Sequence, residues 1–294
     1  MKNLTWNAAA LSSLLTACVG APDAADAPPA PAVAAVDAIS ITARCNTAAD
    51  CAPSRNPCTT ARCVLGVCSY TFVNTAPPVA CNDNNPCTFN DRCVGALCTG
   101  DRELSLLSGT QLPAAEGWVG YGAAAAATSQ SGTRVRINTA PLAASAYATH
   151  GRALPPNVFA THDLQWELTV ASADHNYGDG TAVIFPDFSG FFGANGPLGP
   201  VEREQMIFFD DTEVGWGDLT QTAAVNTHAS HLYRLHVTTT GGAELSVDGN
   251  VVITRPSISV AGGTIGFGDQ TNDPGLNGQF DVWNVRLVPQ PHCQ

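Results

Sequence analysis

The sequence predicts an all-β protein in which an antiparallel sandwich over residues 101–294 follows a small, disulfide-rich, mostly irregular module over residues 45–100. From about residue 101, short runs of alternating apolar and polar residues are separated by turn signals, which is typical of half-buried strands. Nine cysteines crowd between Cys45 and Cys98. Only 13% of the residues are charged, while glycine and proline are common, and this balance favours loop-rich β structure over a helical bundle.

Individual strands of the sandwich can be placed from this alternation. In the segment 164–170, leucine, tryptophan and valine alternate with polar residues, so one face is expected to be buried. Asp248-Gly249-Asn250 predicts a hairpin turn. A helical pattern is suggested only by the short alanine run 123–127. The predicted strands cover residues 133–137, 164–170, 233–237, 245–247, 251–253 and 283–287.

The N-terminal segment is expected to direct export. Lys2 precedes a mostly apolar stretch, residues 4–17, that is too short to span a bilayer. It ends in Leu-Thr-Ala-Cys, which resembles the bacterial lipobox, and this resemblance implies cleavage before Cys18 and attachment of lipid to its sulfur. An ordinary cleaved signal with an incidental cysteine is the alternative for residues 1–18. Either interpretation exports the chain.

Residues 19–44 are expected to form a tether. They are dominated by alanine, proline and aspartate, and the prolines prevent a continuous helix. The residue after the lipobox cysteine is Val19 and not an aspartate. By resemblance to lipoproteins in general, this favours the outer membrane or the cell surface over retention in the inner membrane. The membrane would then be contacted only through the N-terminal lipid.

The charge balance bears on possible partners. Acidic residues outnumber basic ones by 25 to 13, which gives a formal charge of −12. Nucleic acid is therefore not expected as a partner, because binding to phosphates requires clustered basic residues. Anionic lipid surfaces are disfavoured for the same reason.

The cysteines predict a disulfide framework. In an exported chain, a segment with so few apolar residues needs covalent links to fold. Nine is an odd number, so one cysteine of the cluster needs a distant partner, for which Cys293 is the candidate. A zinc site is disfavoured because the segment has no C-x2-C pair and no histidine. The cysteines expected to pair are Cys45, Cys51, Cys58, Cys63, Cys68, Cys81, Cys87, Cys93, Cys98 and Cys293.

The cysteine-rich segment is also repetitive. Asn56-Pro57-Cys58-Thr59 recurs as Asn85-Pro86-Cys87-Thr88, and two further cysteines follow each copy. This arrangement resembles the short cysteine repeats of slime-mould and myxobacterial surface proteins. The acidic loop 82–85, with Asp91 nearby, suits calcium, but such residues are also common turn formers.

Several stretches of the second region resemble the concanavalin A-like lectin and glucanase superfamily, in the order that those domains show. They are GDGTAVIF at 178–185, GPLG at 196–199, MIFFDD at 206–211, and the segments 231–253 and 265–287, which resemble a laminin G-like ending. The resemblance implies a two-sheet jelly roll and a glycan or an extracellular matrix polymer as the partner.

Three residues are candidates for ligand binding. The resemblance assigns sugar hydroxyls to Asp179 of the GDG motif, and Gly180 would let backbone N–H groups approach the sugar. Trp216, if exposed, would offer a flat apolar face for stacking. Asp179-Gly180 as a simple turn at a strand entry is the alternative.

A calcium site is a further possibility. The related lectins carry a glutamate two residues before an aspartate, but here Phe208 stands ahead of Asp210. The acidic residues that remain nearby suit a hard cation such as Ca²⁺, although a solvated acidic loop is equally compatible with them. The predicted metal ligands Asp210, Asp211 and Asp218 form one acidic cluster with Glu213. Asp281 on the final strand is a second candidate, because related sandwiches place a structural calcium there.

The sequence favours a binding protein over an enzyme. Retaining glucanases of this fold need two closely spaced carboxylates on one strand face, and no E-x-D-x-x-E run occurs. No G-x-S-x-G motif is present either. The prediction is a surface-anchored, non-catalytic carbohydrate- or matrix-binding lipoprotein. The alternatives are a sandwich hydrolase that uses Glu202, Glu204 or Glu213, and a purely structural or protein-adhesion module.

Overall fold

The structure is a computed structural model, and it describes residues 44–73, 75–142, 147–188, 204–260, 263–271 and 276–293. The predicted signal segment with Cys18 lies outside these residues, as do residues 19–43 of the predicted tether, the 196–199 motif and Glu202. Among the described residues, no helix has the length and apolar character that crossing a membrane requires.

The described residues group into two compact units. The smaller unit contains residues 44–51 and 62–69, and the larger contains residues 52–61 and those from 70 onward. Part of the cysteine-rich segment therefore belongs to the same unit as the sandwich. The domain boundaries predicted from sequence stay predictions.

Short strands run through the cysteine-rich segment, which is more regular than the sequence predicted. They are β1 (Thr59–Val64), β2 (Val67–Phe72), β3 (Phe89–Val94) and β4 (Leu97–Asp101). The turn between β1 and β2 has positive φ at Leu65 and Gly66, as a two-residue hairpin turn of this kind requires. In the second hairpin, β3 pairs antiparallel with β4, and Cys93 lies opposite Cys98.

All ten cysteines of the predicted framework are paired. The smaller unit holds Cys45–Cys63 and Cys51–Cys68, and the larger holds Cys58–Cys93, Cys81–Cys98 and Cys87–Cys293. The predicted distant partner of the cluster, Cys293, is thus found. Beside this last disulfide, the ring of Phe89 lies 4.3 Å from that of His162 at the start of the longest sandwich strand, so the second repeat packs onto the sandwich.

The sandwich consists of two antiparallel sheets, which confirms the predicted fold class. The eight-stranded sheet has the order β19-β18-β17-β10-β21-β8-β7, with β5 also paired to β21. Its strands are β5 (Leu104–Leu107), β7 (Thr128–Ser131), β8 (Arg134–Asn138), β10 (His162–Ser172), β17 (His231–Val237), β18 (Ala243–Val247), β19 (Asn250–Arg255) and β21 (Gln279–Pro289).

The seven-stranded sheet has the order β16-β15-β14-β13-β20-β9-β6. Its strands are β6 (Val119–Gly122), β9 (Ala148–Ala153), β13 (Val183–Phe185), β14 (Ile207–Phe209), β15 (Glu213–Trp216), β16 (Thr222–Ala224) and β20 (Thr264–Asp269). A separate two-stranded hairpin joins β11 (His175–Asn176) to β12 (Asp179–Gly180).

Among the described residues, helical structure is limited to short pieces, and Glu204 and Gln205 are also helical. The predicted alanine run contains the short helix α1 (Ala124–Ala127). The 3-10 turns are Ala48–Asp50, Pro113–Glu116, Val158–Ala160 and Pro291–Cys293.

The main core lies between the two sheets. Along β10, Leu164, Trp166 and Leu168 are fully buried, and the intervening residues are less so. The Trp166 ring of the eight-stranded sheet meets Phe209 of the seven-stranded sheet edge-on, with 6.3 Å between ring centroids. Rings from opposite sheets in contact show that the apolar faces oppose each other, which is the arrangement that the alternation predicted.

A second apolar cluster lies on the other side of the seven-stranded sheet. Ile207 and Phe209 belong to the main core, whereas Phe208, which points the opposite way, belongs to a separate buried group. Its buried members are Val183, Phe185, Phe188, Met206 and Phe208. The inner strands of this sheet are therefore apolar on both faces, and the β11–β12 hairpin packs over the second one.

Candidate ligand and metal site

The β11–β12 hairpin presents an exposed aromatic side chain. His175 pairs with Gly180 and Asn176 with Asp179, so Tyr177 and Gly178 form the turn. Gly178 has a φ of 76°, which glycine adopts without strain. Tyr177 is 61% exposed, and its hydroxyl donates a hydrogen bond to Glu204 Oε1 over 3.1 Å.

The hairpin contacts the seven-stranded sheet both at its turn and at the start of β11. The Gly178 N–H donates to the Gly217 carbonyl just beyond β15, at 2.8 Å. At the other end, the His175 ring stacks on Phe208 with 3.8 Å between centroids. Gly180 is buried, and a Cβ there would lie 2.7 Å from a Val183 methyl group. The glycine is therefore required for packing, which differs from the ligand-contact role predicted for it.

Asp179 lies beside a buried carboxyl group. Asp269, at the end of β20, is fully buried, and burial is the largest cause that raises its pKa to about 7. Hydrogen bonds from the Thr139 hydroxyl and the Thr271 N–H oppose this shift, and the neighbouring charge of Asp179 adds to it. Asp179 is itself half-buried, so it belongs to a polar region that is only partly open to solvent.

Three potential metal ligands converge next to the hairpin. Single donor atoms from His175, Asp210 and Glu213 all lie within 4.8 Å of one another. His175 Nδ1 is 3.2 Å from Asp210 Oδ2, and Nε2 is 3.5 Å from Glu213 Oε1. Asp210 Oδ1 accepts hydrogen bonds from the N–H groups of Thr212 and Glu213, at 2.8 and 2.7 Å, so the tight turn after β14 fixes this carboxylate.

The clustered aspartates Asp210, Asp211 and Asp218 do not converge on one metal site, which corrects the sequence-based cluster. Asp210 and Asp218 lie at opposite ends of the β14–β15 hairpin, because Phe209 pairs with Val214 at one end and Ile207 with Trp216 at the other. Asp211 accepts the Ala173 N–H at 3.0 Å and acts as a local backbone partner.

Arginines neutralise the other two aspartates. Asp218 Oδ2 accepts a 2.7 Å hydrogen bond from Arg255, and Thr220 also binds this carboxylate. Asp281 lies in the other sheet, where Arg136 binds both of its oxygens at 2.7 and 3.0 Å. A carboxylate already paired in this way is a poor ligand for Ca²⁺, so neither residue supports the predicted site.

The prediction that Trp216 offers an exposed stacking face is wrong. Its side chain is fully buried, Nε1 donates to the Thr254 carbonyl at 3.1 Å, and Arg255 covers the ring. Trp216 is the last residue of β15, and its side chain points to the face of the strand that packs in the main core. Tyr177 is the exposed aromatic next to Asp179 instead.

Sequence reasoning missed His175 and Tyr177. His175 is 35 residues before Asp210, so no spacing motif connects them. A signal for Tyr177 was available, since Gly178 marks a turn and residues in turns commonly lie at the surface.

A cavity of about 930 Å³ occurs elsewhere in the larger unit. It is bounded by loop residues 154–160, 237–241 and 258–260, and its described lining is mainly apolar, without a charged side chain. This lining offers no metal ligands, unlike the group of His175, Asp210 and Glu213 beside the hairpin.

Comparison with known proteins gives structural likenesses only. No protein-family model and no curated protein sequence matches the chain. A carbohydrate esterase from the Shiga toxin-encoding bacteriophage phi24B is 11% identical, with a TM-score of 0.42 over 63% of this chain and 99% of its own.

Two further solved structures show similar likeness. The carbohydrate recognition domain of Emp46p in a potassium-bound form is 10% identical, with a TM-score of 0.36 over 63% of this chain and 95% of that domain. The binding domain of botulinum neurotoxin serotype D is 10% identical, with a TM-score of 0.37 over 64% of this chain and 47% of its own length.

Proposed function

We propose that the protein is a non-catalytic carbohydrate-binding protein that uses the β11–β12 hairpin to hold a glycan. The observation that carries this proposal is the exposed Tyr177 at the hairpin turn, two residues from the half-buried carboxylate of Asp179. An aromatic face packs against the C–H side of a sugar ring, and a carboxylate accepts hydrogen bonds from its hydroxyls.

The hairpin is ordered before any ligand arrives. Tyr177 is held by its hydrogen bond to Glu204, and the turn is tied to Gly217 through the Gly178 N–H. A side chain that is already restrained loses less conformational entropy on binding, so this order favours affinity. A carboxylate and an aromatic ring on one rigid turn therefore suit a small polar ligand that has one apolar face.

We place this activity outside the cytoplasm, on a lipid-anchored chain at the outer membrane or cell surface. The proposed lipid is on Cys18, and the tether 19–44 would separate the folded units from the membrane. Five disulfides support an oxidising compartment, since such bonds persist mainly in exported proteins. The proposed partner is a glycan or an extracellular matrix polymer.

A glycan array with the full chain tests the proposal. We expect Tyr177→Ala to weaken binding about tenfold, which corresponds to about 1.4 kcal/mol, because it removes the stacking face. Asp179→Asn should weaken the binding of the same glycans, because it removes the negative charge of a hydrogen-bond acceptor. Phe72→Ala is the matched control, since Phe72 is also 61% exposed but lies in the cysteine-rich segment.

The array is run with calcium and with a calcium-selective chelator, which tests the calcium dependence proposed from the sequence. Absence of any bound glycan in both conditions, or equal loss in Phe72→Ala and Tyr177→Ala, would reject the proposed site. Release of reducing sugar from a bound glycan would instead favour the hydrolase alternative.

A further inference from the structure

We infer that His175, Asp210 and Glu213 form a binding site for a divalent transition-metal ion, with Zn²⁺ as the best match. The inference concerns metal binding itself and does not depend on a glycan. Asp210 and Glu213 belong to the acidic cluster predicted from sequence, whereas His175 does not.

The donor geometry suits a small ion. Two ligands of a tetrahedral zinc, each about 2.0–2.2 Å from the ion, are roughly 3.3–3.6 Å apart. His175 Nδ1 and Asp210 Oδ2 are 3.2 Å apart, and His175 Nε2 and Glu213 Oε1 are 3.5 Å apart. These two contacts use different ring nitrogens, so binding of one ion through a single nitrogen requires rotation of the side chains. Single donor atoms from the three residues already lie within 4.8 Å of one another, so the required movement is small.

The imidazole of His175 is mostly buried, and one of its nitrogens forms no hydrogen bond. His175 Nδ1 is shielded from solvent and has no hydrogen-bond partner, because its short approach to Asp210 lacks hydrogen-bond alignment. A buried polar nitrogen left in this state is costly. Coordination of a metal ion would satisfy it.

The local charge also favours a cation. Asp210 and Glu213 face the same imidazole, and among the described residues neither carboxylate forms an ion pair with a lysine or arginine. Since Asp210 Oδ1 is occupied by the backbone of its own turn, Oδ2 is left to act as a ligand. A divalent ion would neutralise the two carboxylates.

The ligand types favour a transition metal over calcium. Ca²⁺ prefers six to eight oxygen ligands, whereas an imidazole nitrogen with carboxylate oxygens suits Zn²⁺ and its neighbours. Cysteine is not an alternative ligand in the described part of the chain, because all ten cysteines there form disulfides.

A bound ion would join two separate elements. His175 belongs to the β11–β12 hairpin, while Asp210 lies in the turn after β14 and Glu213 begins β15. Metal coordination would therefore clamp the hairpin that carries Tyr177 and Asp179. This consequence for ligand binding, unlike metal binding itself, rests on the proposed function.

The inference is tested by titrating zinc into the tag-free, chelator-treated full chain and measuring the heat of binding by calorimetry. We expect one zinc ion per chain, and we expect His175→Gln to weaken binding by roughly tenfold or more, since even supporting groups around a metal contribute that much. His231→Gln is the matched control, because His231 also pairs with an aspartate, Asp248 at 2.7 Å, but faces no second carboxylate in the described contacts.

A second readout keeps the test independent of folding. Co²⁺ should give a ligand-field absorption band with the wild-type chain and with His231→Gln, and His175→Gln should lose that band while its circular dichroism stays that of a β protein. Absence of zinc and cobalt binding in the wild type, or unchanged binding in His175→Gln, would overturn the inference. Because no sugar is present, failure here is distinct from failure of the glycan array.

Discussion

Two clusters that each contain an aspartate and a histidine lie at different sheets of the sandwich. They differ in the third residue, which is an arginine in one cluster and a glutamate in the other. On the eight-stranded sheet, Asp163 is fully buried; Oδ1 bonds His236 Nδ1 at 2.8 Å, and Oδ2 accepts from Arg234 Nε at 2.6 Å. Both oxygens are satisfied by cationic or polar donors. This cluster is complete as a structural ion network.

Beside the seven-stranded sheet, the third member is acidic. His175 stands between Asp210 and Glu213, and Nδ1 makes no hydrogen bond. Where the Asp163 cluster has an arginine, this cluster has a second carboxylate. Residue type and proximity alone therefore do not separate a stabilising cluster from a binding site, whereas charge balance and hydrogen-bond satisfaction do.

Breaking the closed cluster should have the larger effect on stability. Asp163→Ala leaves Arg234 and His236 without their partner, and removing one member of a buried pair costs about 3–5 kcal/mol. Those two side chains are about one-third exposed, so water replaces part of the loss and we expect about 2 kcal/mol. Urea denaturation should show this decrease in the free energy of unfolding.

Asp248→Asn provides the control for this experiment, because asparagine tolerates the positive φ of 50° at this turn position. Asp248 also pairs with a histidine, but its side chain is 54% exposed, so the cost should stay below about 1 kcal/mol. Equal losses in Asp163→Ala and Asp248→Asn would show that the Asp163 cluster contributes no special stability.

Asp269 sharpens the comparison because it is a buried carboxyl group that forms no ion pair with a lysine, arginine or histidine among the described residues. Its pKa is raised to about 7, chiefly by burial, so the folded protein holds this proton more tightly than the unfolded chain does. Stability should therefore fall as pH rises from about 4 to about 7 and level off above that range. Between pH 6 and pH 8 we expect a decrease of about 1 kcal/mol from this group.

Comparison of the wild type with Asp269→Asn isolates this titration. Burial lowers the pKa of His150 to about 4, and this group changes stability in the opposite direction as pH rises, but it contributes equally to both proteins. The melting temperature of Asp269→Asn should therefore fall less between pH 6 and pH 8 than that of the wild type. Parallel pH profiles would contradict the assignment.

The sequence predicted the eight-stranded sheet better than the seven-stranded one, and burial explains why. β8 and β10 show clear alternation because one face meets the core and the other is polar. β13 and β14 are buried on both faces, so their apolar runs carry no period, and they were found through family resemblance instead.

The site residues were harder to predict than the strands. Asp179 was selected, and the structure places it on the hairpin beside the exposed Tyr177, but Trp216 was misplaced because sequence does not show which face of β15 meets the core. The pairing of Asp218 with Arg255 and of Asp281 with Arg136 depends on strands that are distant in sequence. Long-range pairing of this kind leaves no local signal.

An anomalous difference map at the zinc absorption edge, from crystals of the tag-free chain grown with zinc, tests the contrast between the two clusters most directly. We predict a peak bonded to His175, Asp210 and Glu213, and no peak at Asp163, Arg234 and His236. A map without density between His175 and the two carboxylates, or with zinc at the Asp163 cluster, would contradict it.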